Sequence, residues 1–296
     1  MAASAPAADR SCTLVPIALR YPMPKRLVAI GDLHGDLVAT RAALRTAGAI
    51  DDSDRWIGGE LVVVQTGDVL DRGDDEQAIL DLLEKLEADA KSHGGALILL
   101  IGNHELMNAA GDFRYVTPGA LHDFDEAAGA DTTKWERAPA EMRGRIAALG
   151  PGGVYAKRLA AHAVIAIVGD TVFSHAGVTP DWAAQLEAVN QGSRCWLAGQ
   201  AGGIDAKPPA LASDDSPVWT RVYGLDAADC AQAKAALATL GAKRMVVGHT
   251  VQKTINGQCG DTVWRIDVGL SKNYGGPIEV LELAPDAAPK VLTGTR

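Results

Sequence analysis

Three short apolar runs, Lys25–Ile30 (KRLVAI), Glu60–Gln65 (ELVVVQ) and Ala96–Ile101 (ALILLI), are each followed within two residues by a glycine. Helix-length stretches separate them. Leu37–Thr46 reads as one helix. Asp75–His93 reads as another, because Ile79, Leu82, Leu83, Leu86 and Ala90 recur at helical spacing. Its acidic start (Asp74, Asp75, Glu76) and basic end (Lys91, His93) suit the helix dipole, and Gly94-Gly95 stops it. Strands alternating with helices predict parallel βαβ units in an α/β fold.

The rest of the chain extends the pattern. Residues 163–177 (AVIAIVGDTVFSHAG) predict a hairpin turning at Gly169-Asp170. Helices are expected at 183–190 and 226–241, strands at 242–250 and 262–269, and a strand at 277–283 that closes the sheet. Residues 1–24 read as a flexible or irregular segment, and 25–296 as a single domain. Within it, the polar stretch 106–160, with Pro118, Pro139 and Trp135, reads as a helical or loop insertion at the rim.

Charge and composition narrow the function. The 296-residue chain carries a net charge of −9 and has no Lys/Arg cluster, so it lacks the basic face that a nucleic-acid binder needs. No apolar run reaches the roughly 20 residues of a membrane helix. The Ala-rich start has no hydrophobic core region and is not a signal peptide as it stands. Cys12, Cys195, Cys230 and Cys259 form no CxxC. We read them as the reduced thiols of a cytoplasmic protein. The alternative is an exported protein, its leader gone, with two disulfides.

Five polar segments sit at the downstream ends of strand-like runs. They are Gly31-Asp-Leu-His-Gly35, Gly67-Asp-Val-Leu-Asp-Arg-Gly73, Gly102-Asn-His-Glu105, His175-Ala-Gly177 and Gly248-His-Thr250. In an open α/β sheet those ends converge on one crevice. Asp32, His34, Asp68, Asn103, His175 and His249 are then brought together as oxygen and nitrogen donors with no thiolate, a set suited to Mn, Fe, Zn or Mg. Six donors exceed one ion's needs and match two ions about 3.5–4 Å apart sharing a carboxylate. Two such ions also explain how so acidic a chain attracts a phosphate. A hydroxide bridging them is the expected nucleophile. His104, spare for coordination, is the expected general acid, with Asp71 holding it protonated and the planar guanidinium of Arg72 gripping phosphate.

Each segment alone says little, since Gly-Asp turns are common; the five together, in order and after strands, carry the reading. Two rivals fail on sequence. An HExxH zinc helix starting at His104 needs a histidine at 108, where asparagine stands, and His104 comes directly off a strand. Glu105 is then a helix-start carboxylate or a support for the ligands, not a base. Cys259 and Arg265 have CX5R spacing, but the residues between them are β-formers and Asp261 would repel phosphate.

GDLHG, GDVLDRG and GNHE, completed by HAG and GHT, resemble the signature of phosphoprotein phosphatase-type calcineurin-like metallophosphoesterases over roughly residues 27–283. Within that group, VQTGDVLDRGDDE, GNHELMNAAGDFRYV, SPVWTR and VVGHT resemble the Shewanella-like protein phosphatases. The resemblance implies a β-sandwich flanked by helices, with a dinuclear metal site at the strand C-terminal ends. It implies Asp32, His34 and Asp68 on one ion, and Asp68, Asn103, His175 and His249 on the other, the ions being Mn²⁺, Fe²⁺/Fe³⁺ or Zn²⁺. His104 and Asp71 form the acid pair; Arg72, Asn103 and Arg221 contact phosphate. Arg114 and Tyr115, just after the catalytic segment, are candidates for the leaving-group side. The expected substrate is a phosphorylated protein or peptide, or a small phosphomonoester. A dinucleoside polyphosphate hydrolase with the same metal core is the alternative, and a catalytically dead phosphoprotein-binding module is a third class.

Overall fold

The computed structural model describes residues 12–126 and 138–296; the first eleven residues, and 127–137 with Trp135 of the expected insertion, lie outside the described residues. The elements run β1 (Arg20–Tyr21), β2 (Leu27–Ile30), α1 (Leu37–Thr46), β3 (Val62–Gln65), α2 (Glu76–Ser92), β4 (Ala96–Leu99) and α3 (Asn103–Ala109). They continue with α4 (Arg143–Leu149), α5 (Val154–Leu159), β5 (Ile165–Val168), β6 (Thr171–Ser174), α6 (Pro180–Ala183), α7 (Leu186–Leu197), α8 (Pro209–Ala212) and α9 (Cys230–Leu240). The chain ends with β7 (Arg244–Val247), β8 (Asn256–Gln258), β9 (Val263–Arg265), β10 (Ile278–Leu283) and β11 (Lys290–Gly294).

Two sheets form a sandwich flanked by helices, as expected. One has the order β11-β10-β2-β3-β4, the other β1-β5-β6-β7-β9-β8. The β2-β3-β4 ladder is parallel, as the alternation predicts, and all four residues of β2 are buried. Such strands are apolar throughout because helices cover the far face. β5 and β6 form the predicted hairpin, and β7 and β9 add to β6 in parallel.

Register decides where the chemistry lands. Ile30 pairs with Gln65, and Gln65 with Leu99. In the other sheet Ser174 pairs with Val247, and Val247 with Arg265. The polar segments that follow these residues therefore leave both sheets at one end.

The structure departs from the sequence reading in several places. The strand at 277–283 does not close the sheet: β10 lies between β2 and β11. β11 itself, and β8 with its sequence Asn-Gly-Gln, give no strand signal because both are partly exposed and are held by their partners. His104 does not come directly off a strand: it is the second residue of α3. The zinc-helix reading fails all the same, because Asn108 stands one turn on and donates to Asp71. The four cysteines are not free thiols: Cys12 is bonded to Cys195 and Cys230 to Cys259. Cys259 therefore offers no nucleophile, and Arg265 is turned to Asn256 and the Leu225 carbonyl. Among the described residues no helix is long and apolar enough to cross a membrane.

Candidate metal centre

Backbone hydrogen bonds tie the loop after β2 to the loop after β3, and the loop after β7 to that after β6. Leu33 and His34 donate to the Asp68 carbonyl at 2.9 and 3.0 Å, and Gly35 donates to Val69 at 2.8 Å. The packing is close enough that only glycine fits at key points. A Cβ on Gly102 would lie 2.1 Å from Asp68 Oδ1, and one on Gly248 would lie 2.3 Å from Asp32 Oδ1.

Five predicted site residues, none of them glycine, sit in the left-handed region: His34, Asp68, Asp71, Arg72 and His249, with φ of 47°, 57°, 69°, 68° and 66°. Each such residue costs on the order of 1–3 kcal/mol and persists only where its surroundings hold it. Glu105 does much of the holding. Its buried carboxylate accepts from Gly102 N (2.7 Å), Asp68 N (2.9 Å), Val69 N (2.8 Å) and Leu70 N (3.2 Å). Glu105 is a support, one of the two roles its sequence context allows. Asp71 N donates to Glu76 in the same way.

The six expected ligands meet in this frame. His175 Nε2 lies 2.8 Å from Asn103 Oδ1, 3.2 Å from Asp68 Oδ2 and 3.2 Å from His249 Nδ1. His34 Nε2 lies 3.8 Å from Asp68 Oδ2 and 3.9 Å from Asp32 Oδ2. Asp68 thus stands between two donor groups, as a shared carboxylate would. His34 Nδ1 faces the Leu70 carbonyl and His175 Nδ1 the Thr66 carbonyl, each at 3.0 Å, which leaves both Nε2 atoms aimed inward with free lone pairs.

Charge and orphaned atoms agree that a cation fits here. Burial lowers His34 to about 4, with Asp68 opposing, so its imidazole is neutral and able to ligate. Burial, then Asp267 and Asp68, push Asp32 well above the carboxylate range, and burial brings Asp267 up to about 6. Crowded carboxylates of this kind are relieved by a bound cation. His249 Nε2 is buried with no hydrogen-bond partner.

Beside the candidate ligands stands the expected acid pair. His104 Nδ1 is hydrogen-bonded to Asp71 Oδ2, and His104 Nε2 lies 3.7 Å from Asp68 Oδ2. Burial alone would lower the His104 imidazole, but the Asp68 carboxylate and the Asp71 hydrogen bond outweigh it and hold it at about 8. Arg72 lies between Tyr115 and Tyr274, its guanidinium carbon 4.4 and 5.3 Å from the ring centroids, and its Nε is buried without a partner. Tyr115 also flanks His104, with ring centroids 5.2 Å apart. Arg221 is exposed at the opposite rim and donates to Thr250 Oγ1 at 3.1 Å. Arg114 donates to Asp112 through Nε and Nη2, at 2.9 and 2.7 Å, with its guanidinium carbon 6.0 Å from the Tyr115 ring centroid. Beside His34 and Arg72 a cleft of about 860 Å³ runs along Thr117–Gly119, in the stretch expected on the leaving-group side.

Sequence reasoning missed Asp267, Tyr274, Asn108, Glu76 and Arg145. Asp267 stands two residues past β9, so the strand-end pattern that pointed to the candidate ligands applied to it as well. Tyr274 has no such mark.

The sequence pattern of the calcineurin-like phosphoesterases matches residues 25–253. Shewanella-like protein phosphatase 2 of Arabidopsis thaliana is 44% identical, over 93% of this chain and 79% of its own length. Shewanella-like protein phosphatase 1 of Plasmodium berghei is 31% identical, over 85% and 69%. Among solved structures, the cold-active protein-tyrosine phosphatase of a psychrophilic Shewanella superposes with a TM-score of 0.71 at 25% identity, covering 94% of this chain and 83% of that one. The chain belongs to the calcineurin-like metallophosphoesterases, in their Shewanella-like protein phosphatase branch, and is a phosphatase.

Proposed function

We propose that this chain is a protein phosphatase that hydrolyses phosphomonoesters at two divalent ions. Asp32, His34 and Asp68 would hold one ion, and Asp68, Asn103, His175 and His249 the other. The donor atoms gathered around Asp68 Oδ2, with the His104–Asp71 pair at their edge, carry this reading. When bound, the ions supply Lewis acidity, which activates water and neutralises phosphoryl charge.

The chain's own residues do the rest. Arg72 clamps phosphoryl oxygens through its fork, held between two tyrosine rings, and Arg221 approaches from the far rim. As water attacks phosphorus, the bond to the leaving oxygen breaks. That oxygen keeps the electron pair and takes the proton from His104 Nε2, giving an alcohol or phenol and inorganic phosphate; the phosphate keeps one proton of the attacking water, and the other is released and balances the reprotonation of His104. Asp71, on Nδ1, keeps the ring oriented. The names of the Arabidopsis, Plasmodium and Shewanella relatives support a phosphoprotein substrate. The cleft along Thr117–Gly119 gives a peptide room.

A metal-reconstituted panel of phosphotyrosine, phosphoserine and phosphothreonine peptides, run against diadenosine tetraphosphate, tests the reading. Peptides turn over and the dinucleotide does not; the reverse order would replace the reading with a nucleotide hydrolase, and silence on every substrate would favour the binding module. The two disulfides favour an oxidising compartment over the cytoplasmic expectation.

A further inference from the structure

Behind the acid pair lies a buried polar chain. Arg145, in α4, is fully buried although it begins in a polar stretch of sequence. Its Nε donates to Asn108 Oδ1 at 2.8 Å, and its Nη1 donates to Glu76 and to the Ala120 carbonyl. Its Nη2 forms an ion pair with Asp71 Oδ1 at 3.5 Å. Asn108 Nδ2 donates to the same Asp71 oxygen at 3.0 Å and to the His104 carbonyl at 2.9 Å. The rings of Phe113 and Phe124 stand 5.8 and 5.3 Å from the guanidinium carbon.

A buried guanidinium costs several kcal/mol unless its partners are in place. Here charges alternate along one line: imidazole, Asp71, Arg145, Glu76. Asp71 uses Oδ2 for His104 and accepts from Asn108 on Oδ1, while the charge of Arg145 Nη2, which is buried with no hydrogen bond of its own, faces that same oxygen. Asp71 itself sits at φ 69°, a backbone that needs such support.

We propose that Arg145 is a positioning residue for proton donation: it locks Asp71, and through Asp71 the ring of His104, in line with the leaving oxygen. The proposal rests on the general-acid reading of His104. It makes α4, distant in sequence from every phosphatase motif, part of the machinery. Arg145 touches no substrate, so its loss falls on the need for a proton and not on phosphate binding.

Leaving groups separate these effects. p-Nitrophenolate departs with little help, whereas the alkoxide of glycerol 2-phosphate needs a proton. The Mn²⁺-loaded full chain is assayed on both, and the ratio of the two kcat values does not depend on how much of a preparation is folded. In Arg145→Gln the alkyl ester loses at least about tenfold more kcat than p-nitrophenyl phosphate, within the range of a general acid's contribution, while KM stays near the wild type. Arg145→Lys, which keeps charge without the fork, falls between, and Asn108→Leu shifts the ratio the same way. Adding Arg145→Gln to Asp71→Asn changes the ratio no further. In the metal-free protein, the downfield Nδ1–H resonance that His104→Gln removes also shifts in Arg145→Gln. Equal loss on both esters, or an unmoved resonance, overturns the proposal. If His104→Gln discriminates between the esters and the Arg145 and Asn108 variants do not, only this proposal fails. If His104→Gln itself falls equally on both, the general-acid reading fails and takes this one with it.

Discussion

Asp71 is the residue at which the site's electrostatics can be tested most directly. Its hydrogen bond contributes to keeping His104 protonated to about pH 8, against the pull of burial. A proton donor works below its own pKa, so activity should hold on the acid side and fall as pH rises through that value. Asp71→Asn removes the charge that favours the imidazolium. The alkaline limb of the kcat profile is expected to move to lower pH than in the wild type at equal metal loading; an unmoved limb would remove Asp71 from the acid pair. Arg72 invites a second test. Lysine keeps the charge but neither the fork nor the stacking between Tyr115 and Tyr274. Arg72→Lys should raise KM for p-nitrophenyl phosphate about tenfold or more, roughly the loss of one charge-assisted bond. At this scale the candidate ligands could be named from sequence because each follows a strand. Arg145 and Glu76 were not, because in sequence a charged residue in a helix reads as solvated surface.

Among the elements, the loop after β3 depends most on others. Three of its non-glycine residues, Asp68, Asp71 and Arg72, hold left-handed backbone. The single carboxylate of Glu105 takes four N–H groups from this loop and the next. Glu105→Gln keeps the shape but offers one acceptor oxygen where there were two. Two buried donors then lose their partner, at about 1–3 kcal/mol each. A lower urea midpoint with and without metal, together with weaker Mn²⁺ binding, is the expected result. The core strands β2, β3 and β4 were readable because burial on both faces makes them apolar runs. β8 and β11 were not, since partly exposed strands take their conformation from a neighbour's ladder.

Across the whole molecule, covalent support is uneven. Cys12–Cys195 ties the N-terminal segment to α7, which packs on β5 through Asn190, and Cys230–Cys259 ties α9 to the turn between β8 and β9. Both disulfides thus belong to the half built on the six-stranded sheet. They close loops of 183 and 29 residues, and losing either is expected to cost about 2–5 kcal/mol. Protein purified without reductant should show no free thiol among the four cysteines, and dithiothreitol should lower its melting temperature. Full thiol reactivity in the native state would restore the cytoplasmic expectation.

Asp32, His34, Asp68 and Asn103 come from the loops of one sheet, whereas His175 and His249 come from those of the other. The ion assigned to Asp68, Asn103, His175 and His249 would draw on both sets and act as a clasp across the seam of the sandwich. At a hundredfold excess over the dissociation constant, a ligand that binds only the closed arrangement adds about 2.7 kcal/mol to it. Amide exchange should report that clasp as protection spreading into both sheets from their shared end. Reduction should instead loosen one layer and leave the seam shut.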